Sequence, residues 1–284
     1  MLGVCWATCW LLPGPTAVAE AASQPAYRTE SNISYYDSAA LSRADAYQKE
    51  QCKLDVYAPK DTKGFATIVW FHGGGLEAGE RYFPDLKEQG MALVAVSYRL
   101  APKVQPPAYL EDAAAATAWV IRNIARYGGD PQKVFVAGHS AGAYLAAMIA
   151  MDPQWLEAHN ISNRSLAGVI PVSGQMSTHF TVKKQRGDKG PQLRPIIDEY
   201  APLYHASNNV PPICLIVGDR RIELKSRVEE NVLMDITLRN LGHKHVEFYE
   251  MAGLDHDTVL RGAMIIAPAF VRRVLEAREE GNVE

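Results

Sequence analysis

The sequence predicts an α/β fold in which a mostly parallel central sheet is covered by helices on both faces. Three features of the chain point to it. Apolar runs of strand length recur and alternate with helical patterns. Several of these runs are continuous rather than alternating with polar residues, as expected when both faces of a strand are covered. A glycine-framed turn, Gly138-His139-Ser140-Ala141-Gly142, joins one run directly to a helical stretch that is small and apolar almost all round.

Composition sets the outer bounds. The 284 residues are 48% apolar and 21% charged, an ordinary globular balance that excludes a disordered chain or a collagen-like fibre. A net charge of -3 gives no basic surface for nucleic acid or an anionic membrane. Four cysteines in a chain of this length exclude a disulfide scaffold.

Residues 1–19 carry no charged side chain, and the first charge is Glu20. An apolar stretch from Leu2 to Leu12 is broken by Pro13-Gly14-Pro15, and Ala17 and Ala19 stand in an A-x-A arrangement. This is the form of a secretory signal cleaved after Ala19, and the stretch is too short to span a bilayer. The expectation is an exported, periplasmic or secreted chain. No Lys or Arg precedes the apolar run, so a misassigned start would instead leave a cytoplasmic protein. Cleavage leaves Cys52 and Cys214, each in a strand-like run, where a buried thiol behaves as a small apolar group and pairing of the two stays open.

The strand-like runs cover residues 53–57, 66–71, 92–98, 133–137, 168–172, 213–217 and 245–249. Helical patterns lie between them. Residues 110–127 place Trp119, Val120, Ile121 and Ile124 on an apolar side and end at Gly128-Gly129. Residues 141–151 read as a buried helix. Residues 225–241 place Val228, Val232, Leu233 and Ile236 on one stripe, and residues 258–278 close the chain. With no internal repeat and no composition shift, residues 20–284 read as one domain. Residues 175–209 hold three prolines and the basic cluster Lys183, Lys184, Arg186 and Lys189 without a clear period. A segment of that length inside a domain reads as a lid-like insertion or pocket wall.

Three motifs converge on one chemistry. Gly138-His139-Ser140-Ala141-Gly142 follows the run KVFVA and opens a helix, the G-x-S-x-G strand-to-helix turn that exposes a serine hydroxyl. The flanking glycines suit a backbone too crowded for a Cβ. His72-Gly73-Gly74-Gly75 follows the run TIVWF, and its glycines let main-chain N–H groups approach a ligand. The N–H groups of Gly74, Gly75 and Ala141 are the candidate donors to an oxyanion. No G-K-[ST] follows, which disfavours a nucleotide loop. His256, in the turn Gly253-Leu254-Asp255-His256-Asp257 ahead of the last helix, is the candidate base. The run ICLIV leads into Gly218-Asp219-Arg220-Arg221-Ile222-Glu223, which offers Asp219 and Glu223 as acids. Asp219 is favoured because it lies closer to the rigid strand end. His243 and His245 form an H-x-H without a companion carboxylate or cysteine set, so no metal site is expected.

With HGGG after a strand, VSYRLAP, GDPQKVFVAGHSAG and a late Asp and His, the chain resembles the α/β-hydrolase superfamily over about residues 50–280, and within it the small esterases of the bacterial feruloyl/acetyl esterase-like group. The resemblance implies an α/β-hydrolase fold and carboxylic-ester hydrolysis by a serine esterase, with Ser140, Asp219 and His256 at the triad positions and Gly74, Gly75 and Ala141 at the oxyanion hole. Four departures stand out. The elbow reads GHSAG rather than GDSAG, the long N-terminal cap of hormone-sensitive-lipase-like esterases is missing, Gly75-Leu76 stands where arylformamidases tend to have Tyr or Trp, and Arg221 occupies the last place of G-x-x-D. The expected substrate is a small soluble ester, with Leu76, Glu77, Tyr200 and Tyr204 as candidate pocket residues. No cofactor, nucleic acid or membrane span is expected, and oligomeric state is left open. Arylformamidase-type amide hydrolysis at the same site, or a catalytically inactive interaction module, are the alternatives.

Overall fold

A computed structural model describes residues 26–281. The signal expected in residues 1–19 lies outside the described residues. Eight strands form one sheet: Tyr27–Ser34 (β1), Lys53–Pro59 (β2), Phe65–Phe71 (β3), Ala92–Val96 (β4), Gly129–His139 (β5), Gly168–Val172 (β6), Ile213–Gly218 (β7) and Val246–Met251 (β8). Their spatial order is β1-β2-β4-β3-β5-β6-β7-β8. The β1–β2 and β2–β4 pairings are antiparallel, and every pairing from β4 to β8 is parallel. The C-terminal ends of the parallel strands therefore meet at one edge, where open sheets of this kind bind ligands. The loops after β3, β5, β7 and β8 at that edge supply residues 72–75, Ser140, Glu223 and His256.

Side chains alternate between two cores. Val69, Phe71, Val94, Val96, Val134 and Val136 face one layer, and Ile68, Trp70, Leu93, Phe135, Ala137 and Ile216 face the other. Helices Ser38–Arg43 (α1) and Ala46–Gln51 (α2) bury no residue, and the first layer is covered by Ala108–Asn123 (α3), Ala141–Met151 (α4), the short Gln154–Glu157 (α5), Phe180–Gln185 (α6) and Arg227–Asn240 (α7). Val259–Glu279 (α8) covers the second. Arg99 donates to Asp112 with both its Nε and Nη2, the latter at 2.7 Å, and so ties the segment after β4 to α3. Asp112 is fully buried, and Tyr36 also donates to it at 2.7 Å.

The structure departs from the sequence pattern at four places. β1 carries no apolar run; it is a largely exposed edge strand held by its ladder to β2. On α7 the buried face is Arg227, Val228, Glu230, Asn231, Met234 and Leu238, while Leu233 and Ile236 stand in solvent. The inward face is part polar because it satisfies a loop: Glu230 accepts the N–H groups of Met176 and Ser177, and Asn231 donates to the Gly174 carbonyl. Cys52 and Cys214 are free thiols buried in opposite layers of the sheet, so they do not pair. The first part of the expected lid-like segment, residues 175–183, is packed into the protein, whereas residues 184–199 are exposed or half-buried. Gln175, Ser177, Thr178, His179, Thr181 and Lys183 are buried in that first part, and polar burial leaves no hydrophobic period to read.

Candidate active site

Ser140 occupies the turn between β5 and α4 with φ 54° and ψ −115°, a conformation few non-glycine residues adopt. The crowding around it accounts for the glycines. A Cβ on Gly142 would lie 2.0 Å from the Phe71 carbonyl oxygen, and one on Gly138 would lie 2.5 Å from the Gly142 carbonyl carbon. The elbow is pinned to its neighbour strand by the Ser140 N–H, which donates to the Val172 carbonyl at 2.9 Å. α4 then starts without a side-chain cap, so its first-turn N–H groups and the positive end of its dipole face the site.

His256 Nε2 lies 2.9 Å from Ser140 Oγ, and His256 Nδ1 lies 2.7 Å from Glu223 Oε1. Glu223 Oε2 accepts from the Ser173 hydroxyl at 2.6 Å and the Gly218 N–H at 3.1 Å, and Oε1 accepts from the Leu224 N–H at 2.8 Å. Burial alone would raise this carboxyl. Hydrogen bonds from His256, Ser173 and the Leu224 N–H, with the attraction of His256, outweigh it and hold the group down at about 2. An ionised Glu223 accepts only, so Nδ1 carries the proton and Nε2 of the neutral ring is left to accept from the Ser140 hydroxyl.

The sequence favours Asp219 as this acid, and the structure places it elsewhere. Its carboxylate accepts from the Arg221 guanidinium, the Arg221 N–H and, at 2.7 Å, the Gly253 N–H. The Arg221 side chain, its own N–H and the Gly253 N–H hold the carboxyl well below the ordinary range. The chain after β7 turns in one helical step, with the Glu223 N–H donating to the Asp219 carbonyl at 2.8 Å. That turn carries residue 223 back over the strand end and directs Asp219 to the turn at Gly253. Asp219 is a clasp between two loops.

The glycine loop lies against the elbow: a Cβ on Gly73 would come 3.4 Å from Ser140 Cβ. Each of its donor-bearing peptides is oriented through its own carbonyl. The Gly73 carbonyl lies 2.7 Å from His72 Nδ1, and the Gly74 carbonyl accepts the N–H groups of Glu77 and Ala78, both at 3.0 Å. Because N–H and C=O of one planar peptide point oppositely, fixing these carbonyls fixes the N–H groups of Gly74 and Gly75. Among the described residues, no acceptor engages the N–H of Gly74, Gly75 or Ala141.

His139, in the elbow itself, packs beside His256 with ring centroids 4.8 Å apart, and its Nε2–H donates to the His256 carbonyl at 2.7 Å. Burial, then the adjacent His256, pushes its pKa down to about 4, so it is neutral near pH 7. This residue holds the base loop, a role that only its place in the motif hints at. Arg227, buried at the start of α7, donates to the Ser173 carbonyl behind Glu223.

The candidate pocket residues divide. Leu76 is fully buried in the core and does not border open space, because the left-handed turn at φ 61° sends its side chain inward. Glu77 borders a surface cavity with Phe180, Lys183, Lys184, Asp188 and Gln192 and pairs with Lys184. Tyr200 packs under the Arg186 guanidinium, and its carbonyl accepts from Tyr144 at 2.8 Å. Tyr204 is 62% exposed and stands edge-on to His205. Neither tyrosine is bonded to Ser140, Glu223 or His256 among the described residues. Of the H-x-H pair, His243 places Nε2 2.8 Å from the Val210 carbonyl and accepts the His245 N–H on Nδ1.

A serine on a strained strand-to-helix turn, hydrogen-bonded through histidine to a carboxylate at the C-terminal edge of a mostly parallel sheet, defines an α/β-hydrolase fold with a serine-hydrolase type of site. The family comparison narrows this further. The BD-FAE family model matches residues 54–225, more than half of the chain, and the chain belongs to that family. Esterase LipC of Mycobacterium tuberculosis is 26% identical over 230 residues, which are 72% of this chain and 56% of that protein. The probable isoprenylcysteine alpha-carbonyl methylesterase ICMEL1 of Oryza sativa subsp. japonica is 34% identical over 124 residues, 40% of this chain and 28% of that protein. The chain thus spans about half the length of the first of these curated relatives and less of the second. Among solved structures, a truncated carbohydrate esterase from gut microbiota superposes with a TM-score of 0.72 at 18% identity, covering 89% of this chain and 98% of that one. Esterase 2 of Thermogutta terrifontis, with propionate bound, superposes with a TM-score of 0.63 at 24% identity over 81% of this chain and 90% of that one. Both are likenesses of fold.

Proposed function

We propose that the protein hydrolyses carboxylic esters of small soluble substrates through an acyl-enzyme, with Ser140 as nucleophile, His256 as base, Glu223 as the carboxylate that orients it, and the N–H groups of Gly74, Gly75 and Ala141 as oxyanion donors. The observation that carries this reading is the continuous relay from Ser140 Oγ to His256 Nε2 and from Nδ1 to Glu223, at 2.9 and 2.7 Å. Membership of a family whose relatives include esterases supports the reaction class.

In the first half-reaction the Ser140 oxygen attacks the ester carbonyl carbon as His256 Nε2 takes the hydroxyl proton. The carbonyl oxygen becomes an anion held by the three N–H groups, each donor contributing about 3 kcal/mol in such sites. The intermediate collapses by breaking the carbon–oxygen bond to the alcohol, which leaves with the proton from Nε2. Water then attacks the acyl-enzyme, giving a proton to Nε2, and Ser140 leaves with that proton to release the acid. Glu223 stays ionised throughout and stabilises the imidazolium formed in each half.

The test is hydrolysis of p-nitrophenyl acetate and butyrate by the protein beside its Ser140→Ala variant. Turnover by the parent that disappears in the variant is the expected outcome. Equal rates in the two proteins would remove Ser140 as nucleophile and the esterase reading with it.

A further inference from the structure

One face of α6 is docked on the glycine loop. Phe180, Thr181 and Lys184 all reach it. The Thr181 hydroxyl donates to the Gly75 carbonyl at 2.5 Å, across 106 residues of sequence. The Phe180 ring packs on Gly75 so closely that a Cβ there would meet it at 3.2 Å. The Lys184 ammonium lies 3.2 Å from the Glu77 carboxylate. Thr181 is fully buried and itself fixed, since its N–H donates to His179 Nδ1 at 3.2 Å. The neighbouring Phe180 N–H donates to the Gln175 side chain at 3.2 Å.

The carbonyl that Thr181 grips belongs to the last peptide of the glycine loop. The residues on both sides of that peptide are left-handed, Gly75 at φ 65° and Leu76 at φ 61°. For a leucine this is an unfavourable conformation that its surroundings must impose. The Gly73 and Gly74 carbonyls find partners within residues 72–78, whereas the Gly75 carbonyl takes its hydrogen bond from outside the loop. Loss of that donor would leave a half-buried carbonyl without its partner, and a shift of the Gly75 Cα that brought the carbonyl to another donor would move the Gly75 N–H bonded to the same Cα.

We propose that Thr181 is a positioning residue for the oxyanion hole: its hydroxyl holds the Gly75 carbonyl, and the segment around α6 is a fixed clamp on the catalytic loop rather than a lid over it. This rests on the esterase reading above. Oxyanion donors act in the transition state, so a displaced Gly75 N–H lowers kcat more than it raises KM.

The experiment measures kcat and KM for p-nitrophenyl butyrate, with melting temperature, in the parent, Thr181→Val, Thr181→Ser and Ser140→Ala. Valine keeps the shape and removes the hydroxyl; kcat is expected to fall about tenfold with KM within about twofold, and serine is expected to restore kcat to within about twofold. A loss of packing alone would move melting temperature in both Thr181 variants and would not be rescued in kcat by serine. Should the valine protein fail to fold, Thr181→Cys, a weak donor of near-serine size, is expected to be slower than Thr181→Ser at equal KM. Parental kcat in the valine or cysteine protein, a loss confined to KM, or a serine variant as slow as the valine one overturns the clamp while leaving the esterase reading intact. Full activity in Ser140→Ala overturns both.

Discussion

The Glu223 carboxylate lies 2.7 Å from His256 Nδ1, although Asp219 stands four residues nearer the end of β7. Proximity to a rigid element does not choose which carboxylate meets His256; the helical turn at residues 219–223 does. Two of the groups that bond Glu223, Ser173 and the Gly218 N–H, come from the ends of β6 and β7, so the carboxylate is seated on the sheet through its own side chain.

The two carboxylates are separable by substitution. Glu223→Gln removes the charge that stabilises the imidazolium and offers an amide where the ring needs an acceptor. Its kcat on p-nitrophenyl acetate is expected to fall by about 10,000-fold, the scale seen when a triad carboxylate is made an amide. Asp219→Asn loses a contact to an Arg221 side chain that is 76% exposed, and kcat is expected to stay within about threefold. A large loss in Asp219→Asn with near-normal Glu223→Gln would restore Asp219 as the acid.

His139 gives stability a pH dependence. Its pKa in the folded protein is about 4, against an ordinary 6.5, because burial and the neighbouring His256 oppose its charge. Between those values the unfolded chain binds a proton that the folded chain does not. Stability is therefore full above about pH 6.5 and is drained as pH falls toward 4. Replacing His139 by Gln, which cannot titrate, is expected to flatten this part of the curve. Urea unfolding from about pH 7 to pH 4 checks it: the difference in stability between the parent and His139→Gln should move in favour of the variant on acidification. A constant difference would remove His139 as a source of the dependence.

How much of this was legible in the sequence depended on whether burial was apolar. The strands from β3 to β7 and the helix α4 announced themselves because both their faces are covered by hydrocarbon, whereas the edge strand β8 is mostly half-buried. The elbow and glycine loop were legible for another reason: Gly138 and Gly142 sit where backbone atoms leave no space for a Cβ, and that constraint is written directly as a residue type. Residues 175–183 are buried through hydrogen bonds to groups such as Gln175 and Glu230 and show no hydrophobic period, while on α7 the polar inner face, with Glu230 and Asn231, leaves Leu233 and Ile236 of the apparent stripe in solvent. The acid is likewise unmarked by any period. The turn that returns Glu223 to the site contains neither glycine nor proline, and its hydrogen bonds join residues that no spacing rule connects.

Gly142 offers a direct test of the packing at the elbow. A methyl group there would lie 2.0 Å from the Phe71 carbonyl oxygen and 2.6 Å from that of His72, both rigid backbone atoms at the end of β3. Neither can move without breaking the sheet or the glycine loop. Gly142→Ala is expected to cost about 3 kcal/mol or more. For a chain of this size that lowers the melting temperature by roughly 10 °C. A variant melting within about 2 °C of the parent would show that the elbow has room the geometry denies.

Ser140 stores strain that a pair of inactive variants can reveal. At φ 54° and ψ −115° the backbone holds a Cβ in a sparsely populated region, which typically costs about 1–3 kcal/mol. Ser140→Ala and Ser140→Gly both lose the hydroxyl and its bond to His256, so they share the loss of that contact. They differ in the Cβ: alanine keeps the strained geometry, whereas glycine adopts it readily at an entropic cost of roughly 0.5–1 kcal/mol. The glycine variant is therefore expected to melt a few degrees above the alanine variant, by about 1 kcal/mol of net relief. Differential scanning calorimetry of the two proteins decides it. An alanine variant as stable as the glycine one would mean that the surrounding strand and helix impose no strain at the nucleophile, and that the exposed hydroxyl is presented at no cost to the fold.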